Sequence, residues 1–247
     1  MIASYDTTVY NVLRGSKMAE AGDLPTGADV IGVAVLESLP HWRDRWAPGE
    51  HSGRRWQYTW AAVNAGMPRA PHTAPRPKVL DAGADNVSLQ YYYARRDCHV
   101  TSLDCDPAAI GRAVRAADAQ HLTDRMLFLQ HDLLTPLAQT YERVLCLSVL
   151  EHIADWRRVA RWLAKATAVG GLLVLTVDVA MPGATLPYFT PATLRELRDV
   201  VEDDRCELVG GRGAFDDYPA APLVRLCGKQ HDQPLTWAGL AFRRLRA

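Results

Sequence analysis

From Lys78 onward, short apolar runs and helical segments take turns at lengths that leave few architectures open. Runs at 78–81, 98–104, 125–130, 142–148 and 171–178 predict strands, and 87–96, 107–118, 155–168 and 190–202 predict helices. Parallel strands need a crossover connection, usually a helix, whereas antiparallel strands can be joined by a two-residue turn. The alternation therefore predicts an α/β fold, a doubly wound and mostly parallel sheet. Two late runs, Glu207 to Gly210 and Leu235 to Arg243, predict an antiparallel hairpin at one edge of a seven-stranded sheet. Several element ends carry their own signals. Pro107 stands where a helix tolerates a missing N–H, with Asp106 before it as N-cap. Thr190 precedes Pro191 in the same way, and Gly170-Gly171 is expected to end the third helix and turn the chain into the fifth strand.

The first strand of this series ends in chemistry. Val79-Leu80 runs into Asp81 and then Gly83, and a second apolar run ends in Asp104 about twenty residues past that glycine. In doubly wound sheets, ligands sit in the crevice outside the carboxyl ends of the strands. A carboxylate at the second tip accepts from both hydroxyls of a ribose diol. The plainer reading of both acids is that they are turn residues.

Residues 1–77 read as an appendage, and 78–247 as the main domain. Prolines 68, 71, 75 and 77 mark the linker between them. Residues 1–30 show no regular period. The Trp-, Arg- and Pro-rich stretch from Pro40 to Gly53, which includes His41, reads either as a solvated loop or as a lid over a ligand crevice. Arg54 to Gly66 predicts a helix stopped by Gly66, with Arg54 and Tyr58 on one face.

Composition narrows the function. With 48% apolar residues over 247 positions, the chain can bury a full core. Its 28 basic residues balance its 28 acidic ones, which removes the electrostatic case for bulk nucleic-acid binding but leaves room for a local basic patch. The five cysteines show no CxxC spacing; Cys98, Cys105 and Cys146 lie in or beside predicted strands, as free thiols of a reduced, cytoplasmic protein do. Met1 to Arg14 carries Asp6 and no long apolar stretch, so no signal peptide is expected. No run reaches the roughly eighteen apolar residues of a membrane span. Cys227 and His231 alone do not make a metal site, and no pattern specifies an oligomeric state.

Five segments, in order, resemble those of the class I S-adenosylmethionine (SAM)-dependent methyltransferases: Val79-Leu80-Asp81-Ala82-Gly83, Val100 to Asp104, Phe128 to Leu133, Tyr141-Glu142-Arg143-Val144 through Leu150-Glu151-His152-Ile153, and Val169 to Leu175. The resemblance covers 78–178, and the late hairpin fits it. It implies SAM as cofactor, with Asp81 on the ammonium, Gly83 letting the methionine part approach the backbone, and Asp104 on the ribose. Leu103 and Cys105 would flank the adenine, Asp132 would accept from its amino group, and the Leu133 N–H would reach a ring nitrogen. Ser148 would face the cofactor and the substrate entrance, and Arg54 or Tyr58 would meet the cofactor carboxylate. Asp132 also reads as a loop acid, and Arg54 and Tyr58 as packing and surface residues. His152 is the candidate general base, or else a brace for the next helix; Glu151 reads as structural. Asp178, His41 and the Asp216-Asp217-Tyr218 cluster are further candidates to reach an acceptor. The family's glycine-rich loop departs here to Ala84-Asp85-Asn86-Val87-Ser88, in which Asn86 can adopt a positive φ and Asp85 adds negative charge.

The implied activity is methyl transfer to an oxygen, nitrogen or carbon atom of a small-molecule acceptor, flat or apolar if the Trp-rich stretch is its lid. A non-catalytic domain that binds the cofactor or a protein partner is the alternative. An aminopropyl transferase ranks last, because Cys146-Leu147-Ser148 offers no acidic pair for a polyamine.

Overall fold

The computed structural model describes residues 61–62, 64–68, 75–83, 88–180, 189–209 and 235–245. Seven strands form one sheet: β1 (Lys78–Ala82), β2 (His99–Asp104), β3 (Met126–Gln130), β4 (Tyr141–Leu147), β5 (Thr167–Ala180), β6 (Cys206–Leu208) and β7 (Leu235–Arg244). Their order is β3-β2-β1-β4-β5-β7-β6. The first five pair in parallel, and β7 runs antiparallel to both β5 and β6. Among the described residues, the helices that follow β1 are α1 (Ser88–Ala94), α2 (Pro107–Asp118), α3 (Trp156–Ala166) and α4 (Pro191–Asp203). The chain works outward from β1 through β2 to β3, then returns to β4 on the other side of β1. That reversal opens a crevice at the carboxyl ends of β1 and β4.

The central strands are buried on both faces, as parallel strands covered by helices must be. Leu80, Leu103, Leu145, Leu163 and Phe242 are fully enclosed. α3 turns Val159, Ala160 and Leu163 inward and leaves Arg158, Arg161 and Lys165 exposed. The expected caps are present: Asp106 accepts from the Ala108 and Ala109 N–H groups at 2.8 and 3.2 Å, and Thr190 forms a reciprocal capping box with Thr193.

One boundary differs from expectation. The third helix stops at Ala166, and β5 begins at once with Thr167, whose Oγ1 donates back to the Leu163 carbonyl at 2.9 Å. Gly170 and Gly171 therefore lie inside the strand. From Tyr141 to Arg143, β4 advances two residues while β5 advances five, from Thr167 to Leu172. The extra residues bulge out through Gly170, at φ +76°.

The segment before β1 packs into the same core. Ala61, Ala62, Asn64 and Ala65 are helical, and Gly66 ends the helix at φ +56°. Arg143 on β4 takes up the carbonyls this helix end leaves unpaired: Nε donates to Ala65 O at 2.5 Å and Nη2 to Met67 O at 3.1 Å, while the Tyr93 hydroxyl donates to Gly66 O at 3.0 Å. Arg143→Met removes the guanidinium's two bonds to this helix end and a third, from Nη1 to Glu142 O at 2.7 Å, and is expected to cost about 2–4 kcal/mol. Urea unfolding measures that loss, and limited proteolysis should show faster cleavage near residues 65–78.

Candidate active site

β1 and β2 are in register from Lys78↔His99 to Ala82↔Leu103, with Asp81 opposite Ser102. Paired residues on parallel strands share a face, as do residues two apart on one strand. Asp81, Ser102 and Asp104 therefore point to the same side, with the Cα atoms of the two acids about 8 Å apart by strand geometry. Ser102 is fixed there by donating to buried Gln90 on α1 at 2.6 Å. The Gly83 N–H donates to Leu103 O at 2.8 Å and ties the exit of β1 to the tip of β2.

Asp81 is buried, and its Oδ2 has no hydrogen-bond partner among the described residues. Burial, and then the Asp104 carboxylate, push its pKa up to about 7. Asp104 is half-buried; its Oδ1 accepts from the Asp106 N–H at 2.9 Å and its carbonyl from the His131 N–H at 2.8 Å. An enclosed carboxylate oxygen with nothing to accept from is costly, and a ligand carrying a cation or N–H donors relieves it.

Gly83 sits at φ +85°, and its missing side chain also makes room for a neighbour the sequence did not reveal. A Cβ there would stand 2.2 Å from Val149 Cγ2 and 2.9 Å from Cγ1. Val149 follows β4, so the glycine lets the exits of β1 and β4 close on each other.

Ser148 is half-buried at the tip of β4, at φ +53°. Among the described residues, the other non-glycine residues at positive φ are Asp97, His121 and Arg205, which lie in turns just after α1, α2 and α4, where such a residue commonly ends a helix. Ser148 instead follows a strand, and its N–H donates to both Thr176 O (2.9 Å) and Thr176 Oγ1 (3.2 Å). A held left-handed residue at a strand exit is the kind of strain that clusters at functional sites.

The remaining predicted residues are spread around this edge. Cys105 is exposed at the β2 exit, unlike buried Cys98 and Cys146, so it does not pack as an apolar core residue. Asp132 is exposed, and its Oδ1 accepts the Leu134 N–H at 2.9 Å, a turn contact. Leu133 is buried, and its carbonyl accepts from the Trp162 indole N–H. His152 is exposed at the end of the short 3₁₀ turn Leu150–His152, directly after β4. Glu151 is buried and structural, its Oε1 holding the Asp178 N–H at 3.0 Å, which braces the tip of β5 against the β4 exit. Arg54, Tyr58, His41, Asp85, Asn86, Asp216, Asp217, Tyr218, Cys227 and His231 lie outside the described residues. Among the described residues no cluster of three metal-ligating side chains occurs, and no helix is long and apolar enough to cross a membrane.

The site fits the cofactor the sequence pointed to. SAM carries an ammonium and a ribose diol, and the two acids at adjacent tips supply an enclosed acceptor for the one and a half-exposed acceptor for the other.

Comparison with known proteins agrees. A family model described as a methyltransferase domain matches residues 53–205. A ubiquinone biosynthesis O-methyltransferase of Methylocella silvestris is 33% identical over 112 residues, 44% of this chain and 43% of that protein. A tRNA 5-carboxymethoxyuridine methyltransferase of Escherichia coli is 33% identical over 101 residues, 40% of this chain and 39% of that one. These alignments span well under half of either relative. The solved structure of magnesium protoporphyrin IX methyltransferase from Synechocystis PCC 6803 with bound SAM shares the fold at a TM-score of 0.54 and 16% identity, over 90% of this chain and 99% of that one. By its family match, its strand order and the acids at its strand tips, the chain belongs to the class I S-adenosylmethionine-dependent methyltransferases.

Proposed function

We propose that the protein transfers a methyl group from SAM to a small-molecule acceptor. The observation that carries this reading is the enclosed Asp81 oxygen, which has no partner among the described residues, one strand away from Asp104. Asp81 holds the ammonium, Asp104 the ribose hydroxyls, Asp132 and the Leu133 N–H the adenine, with Cys105 beside it. Ser148 borders the cofactor and the acceptor entrance, and Arg54 or Tyr58 meets the cofactor carboxylate. When bound, SAM supplies an activated methyl group, and the protein's part is to align donor and acceptor. His152, exposed at the β4 exit, takes a proton from acceptors that must lose one. The balanced charge of the chain supports a small acceptor over a nucleic acid, and the free thiols of Cys98, Cys105, Cys146 and Cys206 support a reducing, cytoplasmic setting.

Calorimetry with SAM and with its demethylated product tests the reading. Both should bind, and Asp104→Ala should weaken SAM about 10- to 100-fold, the worth of hydrogen bonds to a charged acceptor. His152→Gln should leave SAM affinity within twofold and slow transfer by about 10²-fold or more. SAM binding with no transfer to any of a broad metabolite panel would favour the non-catalytic alternative, which the altered loop after Gly83 supports. Failure of wild type and Asp104→Ala alike to bind SAM would discard both readings.

A further inference from the structure

The connection from β3 to β4, residues 131–140, contains no helix. Parallel strands are usually joined by a crossover helix that would cover the sheet and its neighbours. Here an irregular stretch crosses instead, held down where Trp162 on α3 donates its indole N–H to the Leu133 carbonyl. No described element covers this flank of α3, and a groove of about 720 Å³ lies there, bounded by Pro136, Leu137 and the following residues on one side and by α3 on the other.

The helix side of this groove is cationic. Arg157, Arg158, Arg161 and Lys165 line it, and at about 100° per residue all four fall within an arc of about 100°. Two are neutralised: Arg157 forks onto Glu196 at 2.5 and 2.6 Å, and Lys165 reaches Asp204 at 3.2 Å. Arg158 and Arg161 make no ion pair with any described residue, and both are exposed one helical turn apart. Among the described residues the only carboxylate in the groove lining is Asp155, whose Oδ1 caps the helix by accepting the Arg158 N–H at 3.4 Å. In a chain whose formal charges cancel, this concavity holds two guanidinium groups that no described carboxylate pairs.

We propose that the groove beside α3 binds a small organic phosphate, its phosphoryl group held by Arg158 and Arg161 and its body lying on Pro136 and Leu137. Guanidinium forks match phosphate oxygens geometrically and stay charged at any working pH. The volume lies within the range of small-molecule sites and far exceeds what a bare anion fills. Trp162 is buried and already bonded, so the described lining offers no exposed aromatic platform on which single-stranded nucleic acids stack their bases. The proposal does not depend on methyl transfer, since the groove flanks the helix and not the strand tips.

Inorganic pyrophosphate titrated into the ¹⁵N-labelled full chain, at constant ionic strength, tests it. A submillimolar Kd is expected, with amide shifts confined to 137–140 and 157–165. Arg158→Gln/Arg161→Gln should weaken binding at least tenfold while leaving SAM affinity within twofold; both side chains are exposed, so the variant should fold, and its thermal melt checks this. A Kd above 10 mM, shifts elsewhere, or a loss below threefold in the folded variant would overturn the site. A ten-nucleotide single-stranded RNA is the second probe. Binding no tighter than pyrophosphate supports a small ligand, whereas binding more than tenfold tighter through the same two arginines would overturn that assignment in favour of a nucleic-acid backbone.

Discussion

Asp81→Asn is expected to make the cofactor-free protein increasingly more stable than wild type as the pH rises, and to weaken its grip on SAM. The wild-type acid is enclosed, and burial followed by Asp104 lifts its pKa from 3.8 to about 7. An acid raised on folding binds its proton more tightly in the native state than in the unfolded chain. Its stabilising contribution is complete below 3.8 and is lost progressively as the pH climbs through about 7. A shift of about three units corresponds to roughly 4 kcal/mol over the full range, of which about 2–3 kcal/mol falls between pH 5 and pH 8. Asparagine does not titrate, so urea unfolding of the two proteins at pH 5, 6, 7 and 8 should show a gap that widens with pH and then levels off. A pH-independent gap would remove the burial argument. On the ligand side, binding an ammonium needs the carboxylate, so wild-type SAM affinity should rise through the same window. The amide cannot supply that charge, and a loss of about 30-fold or more at pH 8 is expected. The acid is then a destabilising residue kept for its ligand, the usual sign of function traded against stability.

How much of this was legible beforehand depends on the range of each signal. The positions of Asp81 and Asp104 could be read because a parallel register carries sequence position directly into space: two apolar runs ending in acids become two adjacent tips. The helix ends capped by Asp106 and Thr190 are local chemistry and were equally readable. The Gly170-Gly171 pair was misplaced because a glycine pair signals a turn without saying whether it follows a helix or interrupts a strand; Thr167, β-branched and already extended, settled that. The polarity of Ser148 was visible, but its positive φ was not, since it depends on Thr176 from the neighbouring strand. The groove was half visible: no helical period occurs between 130 and 141, yet the consequence for α3 appears only when the strands are laid side by side.

Val149 is the longest-range of these effects, and Gly83→Ala exposes it. Forcing an alanine into φ +85° costs about 1–2 kcal/mol. The new methyl also runs into the Val149 side chain at 2.2 Å, and overpacking of this kind adds about 1–3 kcal/mol. A total loss of about 2–5 kcal/mol is expected in urea unfolding. Val149→Ala removes the two γ carbons, leaving only its Cβ at 3.1 Å, and does not touch the backbone strain, so the double variant should be less destabilised than the two single losses added together, with a coupling of about 1–3 kcal/mol. Additive losses would show that Val149 is not what the glycine accommodates. SAM affinity gives a second, separate readout. The absent Cβ points at Val149, so affinity should recover with stability in the double variant, to within about threefold. If stability returns while affinity stays lost, the space at Gly83 belongs to the cofactor's methionine part, and the packing between the β1 and β4 exits is secondary to it.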